Sequence, residues 1–151
     1  MFDKDQFIAD LRGSLAERSR KAMAEIIARA VSDPAAVTRQ LGAPNKPGVQ
    51  VLHKSPELTV LTVAWAPMQV TLPHDHRMGA VIGMYGGRED NMFWRRTPGK
   101  KKFQIEPAGG EALGTGNVTG CNSKAATATC PPMDWPWMIV QRGEPTSRMK
   151  R

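Results

Sequence analysis

Two of the three histidines in this 151-residue chain lie two positions apart, in Pro73-His74-Asp75-His76. In an extended strand, residues i and i+2 project to the same face and the residue between them to the other. His74 and His76 therefore converge on one ion, while Asp75 points away, toward an edge or a place behind the ligands. On a helix the same spacing would put the rings on nearly opposite sides, so the strand reading and the metal reading support each other. Neutral imidazole suits iron, zinc, copper or nickel at ~2.0–2.1 Å, and two rings supply half or two-thirds of a usual ligand set. The alternative is a proline-flanked loop that displays two histidines to water, since short patterns recur by chance.

The elements around this motif follow from hydrophobic period. Apolar residues from Phe7 through Leu11, Leu15, Met23, Ile27 and Val31 recur at three- and four-residue intervals, which predicts an amphipathic helix capped by Asp3 or Asp5 and ended by Ser32-Asp33-Pro34. Asp33, Pro34 and Gly42 mark a second, short helix, and residues 43–48 read as a linker. From Val49 the period changes to two. Val49 to His53, Leu58 to Trp65, Met68 to Leu72, Ala80 to Tyr85, Met92 to Arg96 and Lys102 to Glu106 are short runs rich in Val, Ile, Thr and aromatics, punctuated by Pro and Gly. Six such strands predict an antiparallel sandwich or barrel behind a helical preface. The boundaries expected are 1–42 for the helical segment, 43–120 for the barrel and 121–151 for an atypical tail of small residues, in which only Met138-Ile139-Val140 reads as a further strand.

Composition narrows the function. Hydrophobic residues at 40% and charged residues at 23% are ordinary for a folded domain. No run approaches the ~20 apolar residues of a membrane span, and the start lacks a signal-peptide pattern, so the expectation is a cytoplasmic protein with no membrane partner. Cys121 and Cys130 do not make a disulfide framework and read as free thiols. The net charge of +7 is spread at +2, +2 and +3 over successive thirds of the chain. Its only cluster, Arg95-Arg96 with Lys100-Lys101-Lys102, reads as a solvated hairpin rather than a nucleic-acid patch.

His74-Asp75-His76, followed by Val81-Ile82-Gly83-Met84-Tyr85-Gly86-Gly87-Arg88-Glu89-Asp90-Asn91 and Phe93-Trp94-Arg95-Arg96, resembles the first motif of the cupins, specifically the small bacterial proteins similar to cysteine dioxygenase and other thiol dioxygenases. The resemblance covers roughly residues 50 to 120. It implies a mainly β, cupin-like double-stranded β-helix (a jelly roll) with an N-terminal helical segment. It also implies Fe(2+) on three histidines, O2 and a small thiol as substrates, and addition of both oxygens to sulfur. His74 and His76 are the implied metal ligands. Arg96 or Arg77 could anchor a substrate carboxylate, and Tyr85 could donate a proton. As plain strand-end residues, the arginines are surface groups and Tyr85 is core.

The chain departs from that pattern after His76, where no further histidine stands. Ala80 and Val81 occupy the place of the glutamate ligand of ordinary cupins. The first reading is an enzyme whose C-terminal part is altered, through a shifted frame or an abbreviated gene, leaving a β-helix incomplete at its C-terminus and an impaired centre. In the second, Cys121, Cys130 or Glu89 completes the ligand set, with thiolate favouring zinc or another divalent transition metal over iron. In the third the metal is lost and the fold kept. His53 is a further candidate for the third ligand, or a turn residue beside Lys54-Ser55-Pro56. The functional alternative to the dioxygenase is a non-catalytic cupin for small-ligand binding or dimerisation.

Overall fold

The computed structural model describes residues 1–17, 20–74, 79–97, 104–121, 126–130 and 137–142, those from Cys121 onward by their backbone alone. His76, with Asp75 and Arg77, lies outside the described residues.

Three helices open the chain: α1 (Lys4–Ser14), α2 (Arg20–Val31) and α3 (Pro34–Leu41). The first long helix expected from the period is thus two. Gly13 is a poor helix former, the Ser14 hydroxyl donates to the Leu11 carbonyl at 2.8 Å, and Leu15 N–H closes a tighter turn on Arg12 at 3.2 Å. The break lets Phe7 and Leu11 of α1 pack back on Met23 and Ile27 of α2. The caps stand where the sequence places them: Asp3 accepts from Gln6 N–H at 2.7 Å and Asp33 from Ala36 N–H at 3.0 Å, with Pro34 in the first turn. Gly42, at φ +83°, closes α3 on the Thr38 carbonyl at 2.9 Å.

Among the described residues eight strands follow: β1 (Gly48–Lys54), β2 (Leu58–Ala64), β3 (Gly79–Met84), β4 (Arg88–Arg96), β5 (Ile105–Gly114), β6 (Val118–Cys121), β7 (Ala126–Cys130) and β8 (Trp137–Arg142). They form a five-stranded sheet in the order β1-β2-β8-β3-β6 and a three-stranded sheet in the order β5-β4-β7. The strand pairings among the described residues are antiparallel. The mainly β class with a helical preface is therefore the observed one.

Three local expectations change. Met68 to Leu72 is not a strand: Met68 has φ +58°, and Ala66 and Gln69 close a turn, with Gln69 N–H on the Ala66 carbonyl and Ala66 N–H on Gln69 Oε1, both at 3.1 Å. Of the strand expected at Lys102 to Glu106, Lys102 and Phe103 lie outside the described residues, and the described strand begins at Ile105 and runs through Pro107 to Gly114. Proline is tolerated because β5 is an edge, and Ala108 is left out of the register between Phe93↔Gly109 and Trp94↔Pro107. The tail, expected to leave the barrel short of strands, supplies two. β7 pairs with β4, and β8 lies between β2 and β3 with six residue pairs on each side. Backbone pairing does not depend on hydropathy contrast, so the small residues of Ala126–Cys130 form a strand that their composition barely signals.

Two apolar layers hold the sheets. On the outer face of the five-stranded sheet, Leu58, Val60, Val81 and Tyr85 pack with Phe7, Leu11, Met23, Ile27, Val31 and Val37 of the helices. Gly83 permits this contact, because a Cβ there would collide with Ile27 Cγ2. On the inner face, Val63, Ala80, Ile82 and Met84 meet Leu113 of the other sheet.

Candidate functional site

His74 lies in an exposed segment that leads into β3, and its Nδ1 donates to the Leu72 carbonyl at 2.8 Å. A carbonyl only accepts, so this bond requires a proton on Nδ1 and puts the lone pair of the neutral ring on Nε2. That tautomer suits a metal ligand, whose second nitrogen commonly donates to a backbone carbonyl.

The other ligand candidates do not gather around His74. His53 on β1 is paired with Val60, whose side chain faces the helices, and it lines a cleft of about 610 Å³ with Arg12, Leu15 and Glu57. Among the described residues no set of three His, Cys, Asp or Glu side chains is placed to hold a metal ion, so His53, His74 and Glu89 do not form a common shell. Among the described residues His74 thus belongs to no three-donor set, and His76 lies outside them. Cys121 and Cys130 end strands of different sheets, opposite Ala80 and Asp90 respectively.

Tyr85 is only 5% exposed and belongs to the helix-facing core, not to the layer between the sheets. Burial raises its phenol above the ordinary value, and a hydrogen bond with Thr62 works weakly against that shift. Arg96 is exposed at the end of β4, opposite Ile105. The structure therefore separates Tyr85 from the barrel interior and leaves Arg96 at its rim.

The polar residues that do face the interior are Glu89 and Asn91. Alternation along β4 puts them on one face, and pairing of Glu89 with Leu113 aims the carboxyl into the layer of Leu113, Met84 and Ile82. Glu89 is 3% and Asn91 7% exposed, yet among the described residues both carboxyl oxygens and Asn91 Nδ2 have no hydrogen-bond partner. Burial pushes the Glu89 carboxyl up from 4.5 to about 7. The neighbouring Asn91 side chain opposes the shift, but its Nδ2 does not reach hydrogen-bonding geometry with the carboxyl. This end of the barrel is closed by backbone bonds from Met84 N–H to Asn117 at 2.9 Å and from Gly116 N–H to Met84 at 2.8 Å, and by Thr115 Oγ1 donating to the Gly87 carbonyl at 3.3 Å. Sequence reading names Glu89 as a metal-ligand candidate and misses Asn91 as its partner. The available signal was the i, i+2 spacing of two polar residues in a strand.

No family model matches the chain, and no curated protein sequence matches it. Solved structures do resemble it. An RmlC-like cupin with a double-stranded β-helix fold from Methanocaldococcus jannaschii aligns at TM-score 0.50 and 9% identity, over 66% of this chain and 83% of that one. An RmlC-like cupin from Shewanella frigidimarina aligns at 0.50 and 13%, over 69% and 84%. A conserved protein of unknown function from Streptococcus pyogenes aligns at 0.54 and 9%, over 68% and 78%. At such identities the likeness concerns architecture, and the architecture of this chain is the cupin double-stranded β-helix.

Proposed function

We propose that this chain is a small-molecule cupin whose chemistry sits where His74 and His76 enter β3, and that it is a non-haem iron oxidoreductase of the thiol dioxygenase type. The observation that carries this reading is the His74 ring. Its Nδ1 is committed to the Leu72 carbonyl, which leaves Nε2 as the coordinating nitrogen of the neutral ring. The order of motif, β3, glycine turn and β4 also follows the resemblance seen in the sequence.

Iron, when bound, would supply a site where a thiolate and O2 meet and both oxygens pass to sulfur. In this reading His74 and His76 hold the ion. Arg96, at the exposed end of β4, anchors a substrate carboxylate at the rim. Tyr85, buried in the helix-facing core, positions the end of β3 and does not touch substrate.

A specific observation favours a second reading, the non-catalytic ligand-binding cupin: no three-donor set stands among the described residues. Metal analysis with an oxygen electrode separates the two. The dioxygenase requires about one iron per chain, thiol-dependent O2 uptake, and loss of both in His74→Ala and in His76→Ala. A chain that binds no iron after reconstitution and consumes no O2 with any small thiol leaves the ligand-binding reading.

A further inference from the structure

We infer that the inward face of β4 is a recognition site for a small primary amine that also carries a neutral oxygen acceptor, with Glu89 taking the ammonium group and the Asn91 amide taking the oxygen. This inference does not depend on a metal at His74.

Buried polar groups are almost always paired, so two bare carboxyl oxygens and a bare amide donor on one strand face mark a place that the described residues leave open to a ligand. The partner that would hold the carboxyl ionised there is a cation, since without one burial favours the protonated form. The chain carries 21 basic residues, yet the described arginines nearest in sequence are engaged elsewhere. Arg88 binds Asp90 at 2.9 Å on the opposite face of β4, and Arg95 binds Glu106 at 2.6 Å toward its far end. Water alone would donate hydrogen bonds but leave the desolvated charge uncompensated, whereas an ammonium group supplies both charge and donors.

The second half of the ligand follows from Asn91. Its unpartnered Nδ2 needs an acceptor, and i, i+2 residues on a strand stand only ~6.6 Å apart, so amine and oxygen belong to one small molecule. That oxygen is neutral. Glu111 of β5 stands opposite Asn91 and accepts from Thr119 Oγ1 at 2.7 Å, adding negative charge to this side. Among the other described side chains, Ala80, Ile82 and Met84 of β3, Leu61 and Val63 of β2 and Leu113 of β5 bring no titratable group. The side chains of β7 lie outside the description. A carboxylate ligand would meet both glutamates, and a hydroxyl meets neither as a like charge.

Calorimetric titration of the full chain with ethanolamine, ethylammonium and ethylene glycol, at pH 6 and pH 8, tests this. Ethanolamine binds most tightly, ethylammonium less, and ethylene glycol not at all. Because Glu89 titrates at about 7, both amines bind about tenfold more tightly at pH 8, where the carboxylate is ionised. Glu89→Gln removes that pH dependence, and Asn91→Ala removes the preference for ethanolamine over ethylammonium. The wild-type pH series needs no variant to fold. Equal affinity at the two pH values, glycol binding as well as ethanolamine, absence of saturable binding by the amines, or a Glu89→Gln chain that keeps the tenfold dependence would each overturn the inference. Repeating the titration after chelation separates it from the iron reading: amine binding persists in metal-free protein, whether or not that protein ever consumed O2.

Discussion

The two faces of the five-stranded sheet solve the same problem differently. Toward the helices, Leu58, Val60 and Val81 meet Ile27 and Val31, and the Ser14 hydroxyl is paired with the Leu11 carbonyl, while His53 Nε2, beside Arg12 and Leu15, stands without a hydrogen-bond partner among the described residues. Toward the other sheet, Val63, Ile82, Met84 and Leu113 are equally well buried, but Glu89 and Asn91 stand among them unpaired. The helix side leaves the His53 ring nitrogen unmatched, and the barrel side a carboxyl and an amide. An unmatched buried carboxyl is the costlier of the two, and the amine inferred above would remove that cost.

Perturbing the helix side should produce the largest effect. Ile27→Ala removes a side chain that is fully buried, and is expected to lower stability by about 2–5 kcal/mol in chemical denaturation. Gly83→Ala is destabilising alone, because its methyl meets Ile27 and comes within 3.0 Å of Val31 Cγ1. Combined with Ile27→Ala it fills the vacated space, so the double variant loses less than the two single losses together. Strict additivity would mean that α2 does not rest on β3 at this glycine.

Glu89→Gln probes the barrel side and should act in the opposite direction. The folded carboxyl titrates near 7 and the unfolded one at 4.5, so the native state binds the extra proton and the wild type loses stability as pH rises between these values. Above pH 7 the variant is expected to be more stable than wild type by up to about 3 kcal/mol, shrinking below pH 4.5 to the ordinary effect of an uncharged swap. Thermal melts of both chains from pH 4 to 8 check this; parallel curves would show that Glu89 is not desolvated. The smallest effect belongs to Asp33→Ala, which removes the cap of α3 at the margin of the helix-facing layer. A loss of about 1 kcal/mol, insensitive to Gly83 substitutions, is expected by the same melts.

Much of this was legible from residue order. Asp3, Asp33, Pro34 and Gly42 signal their caps by chemistry acting over three or four residues, and the runs in β1 to β4 show themselves through alternation. The division of α1 from α2 was not legible, because the 3.6-residue period continues across Gly13 and Ser14 while the helices fold back on each other. Met68 to Leu72 alternates like a strand but turns at a positive φ, and Ala126–Cys130 pairs with β4 while lacking hydropathy contrast. At the candidate site, the sequence marks His74 by type and spacing, but Glu89 and Asn91 look like any polar pair on a strand until the second sheet closes over them.

Local sequence alone therefore determined the helical preface, the strand-forming character of the chain's middle and the His-X-His motif, since capping, periodicity and ligand chemistry are properties of neighbours. Tertiary structure alone decided which face of β4 turns inward, that Tyr85 packs under the helices and that Glu89 is left without a partner. Alternation places side chains on two faces but says nothing about which face is covered; burial, and with it the carboxyl's shift toward neutrality, arises only when distant strands meet.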